Sequence, residues 1–245
     1  MIRTATVLVA GVAMSASASV ITIDFSNDAL GNALANGQAV SGNDVSSLFS
    51  LSSSGNNAGL AIFDSTASGP NASAEDQDLL VNLGNVLILQ DNAESAKSGG
   101  IFSSPDDDGN GGTMSFSFAA PTELASITLI DMDGGNGGTV TLVDSDGDVR
   151  AFDIPNGWTN DVAADGPSGF GTIDFANLGA QSADSPGTDV TIAQNDAGFD
   201  LADVVSMDIF LIGSGGVDNL TIVPAPGALF VAGTGLAMIA RRRRG

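Results

Sequence analysis

The sequence predicts an all-β protein, an antiparallel β-sandwich of jelly-roll type flanked by an N-terminal signal helix and a C-terminal apolar helix. Two observations predict the sandwich. Apolar and polar residues alternate with a period of two along many short segments, and clusters of Gly, Asn, Asp and Ser separate these segments. No long stretch keeps the 3.6-residue period of an amphipathic helix, which argues against a helical bundle.

The predicted strands follow one another at short intervals. The first, residues 21–26, places Ile21, Ile23 and Phe25 on one face. The same alternation recurs in residues 113–118, 125–131, 138–144, 149–154, 172–175, 189–193, 204–212 and 217–223. Residues 85–91 form a more continuous apolar run, typical of a more deeply buried strand. The Ser-, Asn- and Gly-rich residues 27–60 are expected to form a loop with short strands.

Residues 1–18 have the layout of a secretory signal peptide. Arg3 precedes an apolar run from Ala5 to Met14, and small residues follow, with Ala16-Ser17-Ala18 as the cleavage site. The run is too short for a permanent membrane span, and the alternative is a buried first strand or helix. We expect export, a β-sandwich domain over residues 19–222, and no disulfide to stabilise it, because the chain has no cysteine.

Residues 223–245 have the pattern of a second targeting signal. The uncharged stretch from Gly227 to Ala240 would span about 21 Å as a helix, somewhat less than the ~30 Å of bilayer hydrocarbon. Four arginines, Arg241, Arg242, Arg243 and Arg244, follow it and are expected to stay on the cytoplasmic side. The segment predicts a membrane tether, and a plain anchor is the simpler alternative.

This tail resembles the PEP-CTERM class of bacterial sorting tails, in which a Val-Pro-Glu-Pro-like motif precedes a helix and an arginine cluster. Val223, Pro224 and Pro226 match that motif, and Ala225 stands where the class has glutamate. The body is similar to that of exported proteins bearing such tails, in the motifs IFDSTASGPNASAEDQDLL, GNVLILQD, PDDDGNGGTMSFSF, ITLIDMDG and GSGGVDNLTI. The resemblance implies a β-sandwich at the cell surface, in the outer envelope or in the extracellular matrix, an exosortase-like processing enzyme, and no known activity.

Composition excludes several classes of function. Between the two terminal segments the chain has 29 acidic residues and only Lys97 and Arg150 as basic ones, a net charge of −27. Such a body repels nucleic acid and attracts cations. The chain has no His, Cys or Tyr, which removes Ser-His-Asp triads, thiol nucleophiles and the usual zinc or copper ligands. Carboxylate chemistry remains.

Calcium is the cofactor that these carboxylates favour, because this ion takes 6–8 oxygen ligands in flexible geometry. Aspartates two residues apart in extended chain point to one side. The first candidates are Asp106, Asp108, Asp76 and Asp78, with Asp64 near, and the second are Asp131 and Asp133. The alternative is a solvated acidic rim that keeps the protein soluble. The segment DSDGD at residues 144–148 is expected to form a hairpin turn.

A further pair of candidate calcium ligands comes from topology. In jelly-roll carbohydrate-binding modules, an acidic residue on the first strand and an aspartate on the last strand often share a structural calcium. Asp24 and Asp218 are similar to those positions. This likeness implies that the two carboxylates lie together in the fold.

The leading interpretation is a non-enzymatic exported protein of the cell envelope or extracellular matrix. The first alternative is a calcium-dependent polysaccharide-binding module, with Trp158 as the residue on which a sugar stacks, although Trp158 also suits a core position that anchors a loop. The second alternative is a glycoside hydrolase that uses two carboxylates.

Overall fold

The computed structural model describes residues 19–73, 77–93, 97–132, 137–154, 158, 169–177 and 190–224. Within these residues the chain is nearly all strand and turn, and its strand pairs are antiparallel, which confirms the predicted all-β class. These ranges contain no α-helix and one 3-10 turn, Leu201–Asp203. A search of the same ranges finds no helix with the length and apolar character of a membrane span. The predicted signal helix and C-terminal helix lie outside the described residues.

The strands are numbered in chain order over the described part of the chain. They are β1 (Ile21–Ile23), β2 (Ala39–Val40), β3 (Phe49–Ser54), β4 (Leu60–Asp64), β5 (Asn85–Leu89), β6 (Lys97–Ser98), β7 (Ile101–Phe102), β8 (Gly112–Ile130), β9 (Gly138–Asp144), β10 (Val149–Ile154), β11 (Phe170–Asp174), β12 (Thr191–Asn195), β13 (Val204–Leu211) and β14 (Gly216–Pro224).

The long strand β8 joins two groups of strands. Its first half pairs with β3 and β13, and from β13 the order continues through β9, β10 and β12. Its second half pairs with β11 and β14, and from β14 the order continues through β5, β4 and β2, while β1 also pairs with β14. The sequence predicted two strands here. The chain instead stays extended through Pro121. The register of β8 with β13 shifts between Ser117 and Thr122, so Pro121 lies at an irregular position of the ladder, where proline is tolerated.

Both groups of strands contribute to one hydrophobic core. Met114 and Phe116 of the first half of β8 belong to the same buried cluster as Leu87, Leu89 and Val217 of the other group. A second cluster covers the opposite face of β5 and β4, with Phe63, Val86, Ile88 and Ile130 as members. Strand β5 is therefore buried on both faces, as its continuous apolar run predicted.

The last strand extends into the predicted tail. Val223 pairs with Glu123 and Pro224 pairs with Thr122, so the backbone of the first two residues of the Val-Pro-Ala-Pro motif belongs to β14. The predicted boundary at residue 222 differs from the end of the strand by two residues. The rest of the motif, including Pro226, and the four arginines lie outside the described residues.

Candidate functional site

The first and last described strands bring Asp24 and Asp218 together. Strand β1 pairs antiparallel with β14, and Ile23 lies opposite Leu220. Asp24 is the first residue after β1, it is exposed, and its Oδ1 accepts a hydrogen bond from the N–H of Ser26 at 3.1 Å. Asp218 points away from the main core, because its neighbour Val217 is a core member. Burial is the main cause that raises the pKa of Asp218, and the negative charge of Asp24 lies near enough to add to the rise.

Asp218 is a buried carboxylate with an incomplete set of hydrogen bonds. It has 0% exposure, and burial, helped by the charge of Asp24, raises the pKa of Asp218 from its ordinary 3.8 to about 7. Its Oδ2 accepts a hydrogen bond from the side-chain amide of Asn219 at 2.8 Å. Its Oδ1 is buried and has no donor among the residues the structure describes. A charged oxygen in this position requires a proton or a cation.

Hydroxyl side chains lie on the same face of the sheet as Asp218. Asp218 lies directly opposite Thr128 of β8, and Thr128 lies opposite Thr172 of β11, so the three side chains share one face of the sheet. The hydroxyls of Thr128 and Thr172 are 3.0 Å apart. The backbone turns sharply at the site, since Asn219, beside Asp218, has a φ of 49° and marks a bulge in β14. The site thus offers carboxylate and hydroxyl oxygens and no cationic side chain among these residues.

The acidic loop PDDDGNGG lies at a different place in the fold, beside the far end of β5. The backbone N–H of Asp108 donates to the carbonyl of Leu89 at 2.8 Å. Asp107, which the sequence did not single out, is buried, and its carboxylate accepts a hydrogen bond from the backbone N–H of Gly215. Asp108 is also buried, and its Oδ1 accepts from the backbone and side-chain amides of Asn110 at 2.9 and 3.0 Å. Asp106 is half-buried.

Asp131 follows the second half of β8 and is fully buried. Its φ of 49° takes the chain out of the strand, and its N–H donates to the carbonyl of Gly169 at 2.9 Å. Its carbonyl lies 3.1 Å from the position that a Cβ on Gly215 would occupy. Because Asp107 also binds Gly215, the loop that precedes β14 brings Asp131 and Asp107 into one neighbourhood. Asp133, the second member of the predicted pair, lies outside the described residues.

Asp64 lies apart from this acidic loop. It ends β4 and pairs with Asn85, the first residue of β5, whereas the acidic loop meets Leu89, the last residue of β5. The length of β5 therefore separates them, about 13 Å at 3.3 Å per residue. The Asp64 carboxylate accepts from the N–H of Thr66 at 3.0 Å and so organises its own turn. Asp78 is half-buried in the segment before β5, and Asp76 lies outside the described residues.

Trp158 is a core residue. It has 0% exposure, and its backbone carbonyl accepts from the N–H of Met132 at 2.8 Å. The ring lies against Gly171, where any added Cβ would overlap it. Its Nε1–H has no acceptor among the residues the structure describes. The ring therefore offers no exposed face on which a sugar could stack, and the loop-anchoring alternative agrees with its position.

The predicted hairpin turn at DSDGD is confirmed, since it connects the paired strands β9 and β10. Asp144 organises it. One of its carboxylate oxygens accepts from the N–H groups of Asp146 and Asp148 at 3.1 and 2.9 Å, and the other accepts from the N–H of Asp200 at 2.9 Å. The bond from Asp200 is the main cause that lowers the pKa of Asp144, and the bonds from Asp148 and Asp146 add to it.

Across the described ranges, no three His, Cys, Asp or Glu side chains form a group that could hold a metal by themselves. A cation in this part of the chain would thus rest on two carboxylates completed by hydroxyl, carbonyl or water oxygens, as calcium accepts. A comparison with models of known protein families found no match to this chain, and a comparison with curated proteins found none either.

Proposed function

We propose that this chain is a non-enzymatic exported protein of the cell envelope or extracellular matrix whose jelly-roll-like β-sandwich holds a structural calcium ion between Asp24 and Asp218. The observation that carries the proposal is the fully buried Asp218 carboxylate, whose Oδ1 has no described donor and whose pKa is raised by burial and by the charge of the nearby, exposed Asp24. A divalent cation would neutralise both charges and complete the contacts of that oxygen.

Calcium suits this pair better than other common metals. The oxygens near Asp218 belong to carboxylates, hydroxyls and backbone, which are hard ligands, and the chain has no His or Cys to bind softer metals. The two basic residues of the body are engaged elsewhere. The Arg150 guanidinium donates to Asn195 and lies over the Phe199 ring, and the Lys97 ammonium lies over the Phe102 ring. A structural ion would also stabilise an exported chain that has no disulfide.

The hydrolase alternative is weaker. A carboxyl group with a raised pKa is what a glycoside hydrolase needs as general acid, and Asp218 is such a group. However, Asp218 has no exposed surface, so a sugar ring could not reach it without displacing the strands that cover it. Burial of a carboxylate within the sheet supports a structural ion rather than catalysis.

The calcium part is tested by the thermal unfolding of the purified chain in calcium, in magnesium and in EDTA. We expect calcium to raise Tm, because a ligand bound only by the folded state stabilises it. Asp218→Asn should abolish the rise. Asp153→Asn, which removes one exposed carboxylate of β10, is the matched control and should keep it. Equal Tm values of the wild-type chain in calcium and in EDTA would contradict the proposal.

The targeting part is tested by fractionation of cells that produce the chain with and without its C-terminal segment. The deletion should begin at Ala225 rather than at Val223, because Val223 and Pro224 pair with β8. We expect the full chain in the envelope fraction and the shortened chain in the medium or periplasm. Replacement of the four arginines by alanine separates the role of the charge cluster from that of the apolar stretch. An unchanged location after the deletion would contradict the targeting part and leave the calcium part standing.

A further inference from the structure

One outer sheet face carries an exposed phenyl ring among hydroxyl groups. Along β13, Met207, Ile209 and Leu211 are buried in the core, whereas Asp208 and Phe210 point outward. Phe210 is 47% exposed although β13 is an interior strand with β9 on one side and β8 on the other. Ile212, two residues farther, is 38% exposed and lengthens this apolar strip. An aromatic side chain left in water on a sheet face gives up the favourable transfer that burial provides.

The neighbours of Phe210 are hydroxyl residues set by the strand register. Phe210 lies opposite Thr113 of β8 and Thr139 of β9. In the next outward row, Asp208 lies opposite Ser115 and Thr141. Directly opposed residues share a face with their Cβ atoms about 5 Å apart, and the two rows are about 7 Å apart along the strand. The result is a surface with an aromatic centre, and four hydroxyls and one carboxylate lie within roughly 8 Å of it.

We infer that this face, centred on Phe210, binds uncharged polysaccharide. A pyranose ring presents axial C–H groups that stack on an aromatic ring, and equatorial hydroxyls that bond to Thr, Ser and Asp side chains at its edge. The body charge of −27 disfavours anionic polysaccharides and nucleic acid at this surface. The short Thr and Ser side chains beside Phe210 leave room for an extended chain of sugars that lies across the strands.

A second copy of the chain is the competing occupant. Two copies stacked through this face would bring two bodies of strongly negative charge together and would place Asp208 of each near the other copy. Like charges at an interface oppose association. An uncharged glycan carries no such penalty. The inference goes beyond the calcium site, and it rests on the proposed function only in that export brings the chain to extracellular polysaccharide.

The test uses the full chain in native affinity gels that contain soluble β-glucan, galactomannan or xylan, together with pull-down on cellulose and chitin. We expect retention by at least one of these polymers. Phe210→Ala should weaken that retention by about tenfold or more, the change that about 1.4 kcal/mol of lost contact produces. Phe210→Trp should keep it, since a larger aromatic ring provides the same stacking surface. Leu30→Ala, which trims an 87% exposed side chain in a distant turn, is the matched control and should bind as the wild type does.

Three results would overturn the inference. One is the absence of binding to any polymer of the panel, and another is undiminished binding by Phe210→Ala. The third is a wild-type dimer in sedimentation analysis that Phe210→Ala converts to monomer, which would assign the face to a second copy. These results can be told apart from a failure of the calcium proposal. Tm is measured in calcium and in EDTA on the same Phe210 variants, and the rise in Tm with calcium should equal that of the wild type.

Discussion

Replacement of Asp218 by asparagine should remove a pH dependence of stability that we expect of the wild-type chain in EDTA. Burial raises the pKa of Asp218 from 3.8 to about 7. Between these values the folded chain keeps a proton on Asp218 that the unfolded chain has lost. The folded state then binds more protons, so the free energy of unfolding falls as the pH rises through this window. Across the interval between the two pKa values, the free energy of unfolding should fall by about 4 kcal/mol, at about 1.4 kcal/mol for each pH unit.

The assay is urea unfolding in EDTA, followed by the fluorescence of Trp158, at several pH values from about 4.5 to about 8. Asparagine has the shape of a protonated aspartate and does not titrate. The variant should match the wild type near the acid end and exceed it by up to about 4 kcal/mol at the alkaline end, while Asp153→Asn follows the wild type. Asp28 and Asp144 have lowered pKa values, so their contributions are lost only at more acid pH. Parallel curves for wild type and Asp218→Asn would show that Asp218 does not titrate in the folded chain within this pH range.

Two further outcomes follow from the geometry around Trp158 and Asp144. Gly171→Ala should destabilise the chain by about 1–3 kcal/mol in urea unfolding, because the added Cβ overlaps the buried Trp158 ring, and an unchanged midpoint would show that the ring does not pack there. Asp144→Ala should lower the urea midpoint at neutral pH, because three backbone N–H groups lose their acceptor, and this loss should shrink as the pH falls below about 4. If the Asp144→Ala difference persisted unchanged in acid, the carboxylate would not be the stabilising acceptor.

Alternation in the sequence was sufficient to predict most strands, but it was wrong for residues 189–193, since β12 is Thr191–Asn195 and all of its residues are exposed. It could not predict that residues 113–118 and 125–131 belong to one strand, because Pro121 between them ordinarily ends a ladder. Strands β2, β3 and β4 lie within or just beyond the segment predicted as loop with short strands, where serine is abundant on the outward positions of β3. Serine-rich segments give weak strand signals, since their local sequence also suits turns.

The candidate site was partly predictable. Asp24 and Asp218 were paired by their places on the first and last strands, and the fold does bring these strands together. Spacing along the chain was a poorer guide, because it grouped Asp64 with Asp108, which the length of β5 separates. It also passed over Asp107, whose bond to Gly215 depends on a contact between segments that are 108 residues apart. The exposure of Phe210 could not be predicted either, because the segment VVSMDIFLI has apolar residues on both faces of the strand.

Direct measurement of bound calcium tests the central claim most closely. The full chain is dialysed to equilibrium against radioactive calcium at neutral pH, beside Asp218→Asn and the control Asp153→Asn. We expect the wild type and the control to bind one more calcium ion per chain at low free calcium than Asp218→Asn does. Equal binding by all three chains would contradict this expectation, because the pair of Asp24 and the buried Asp218 would then hold no ion.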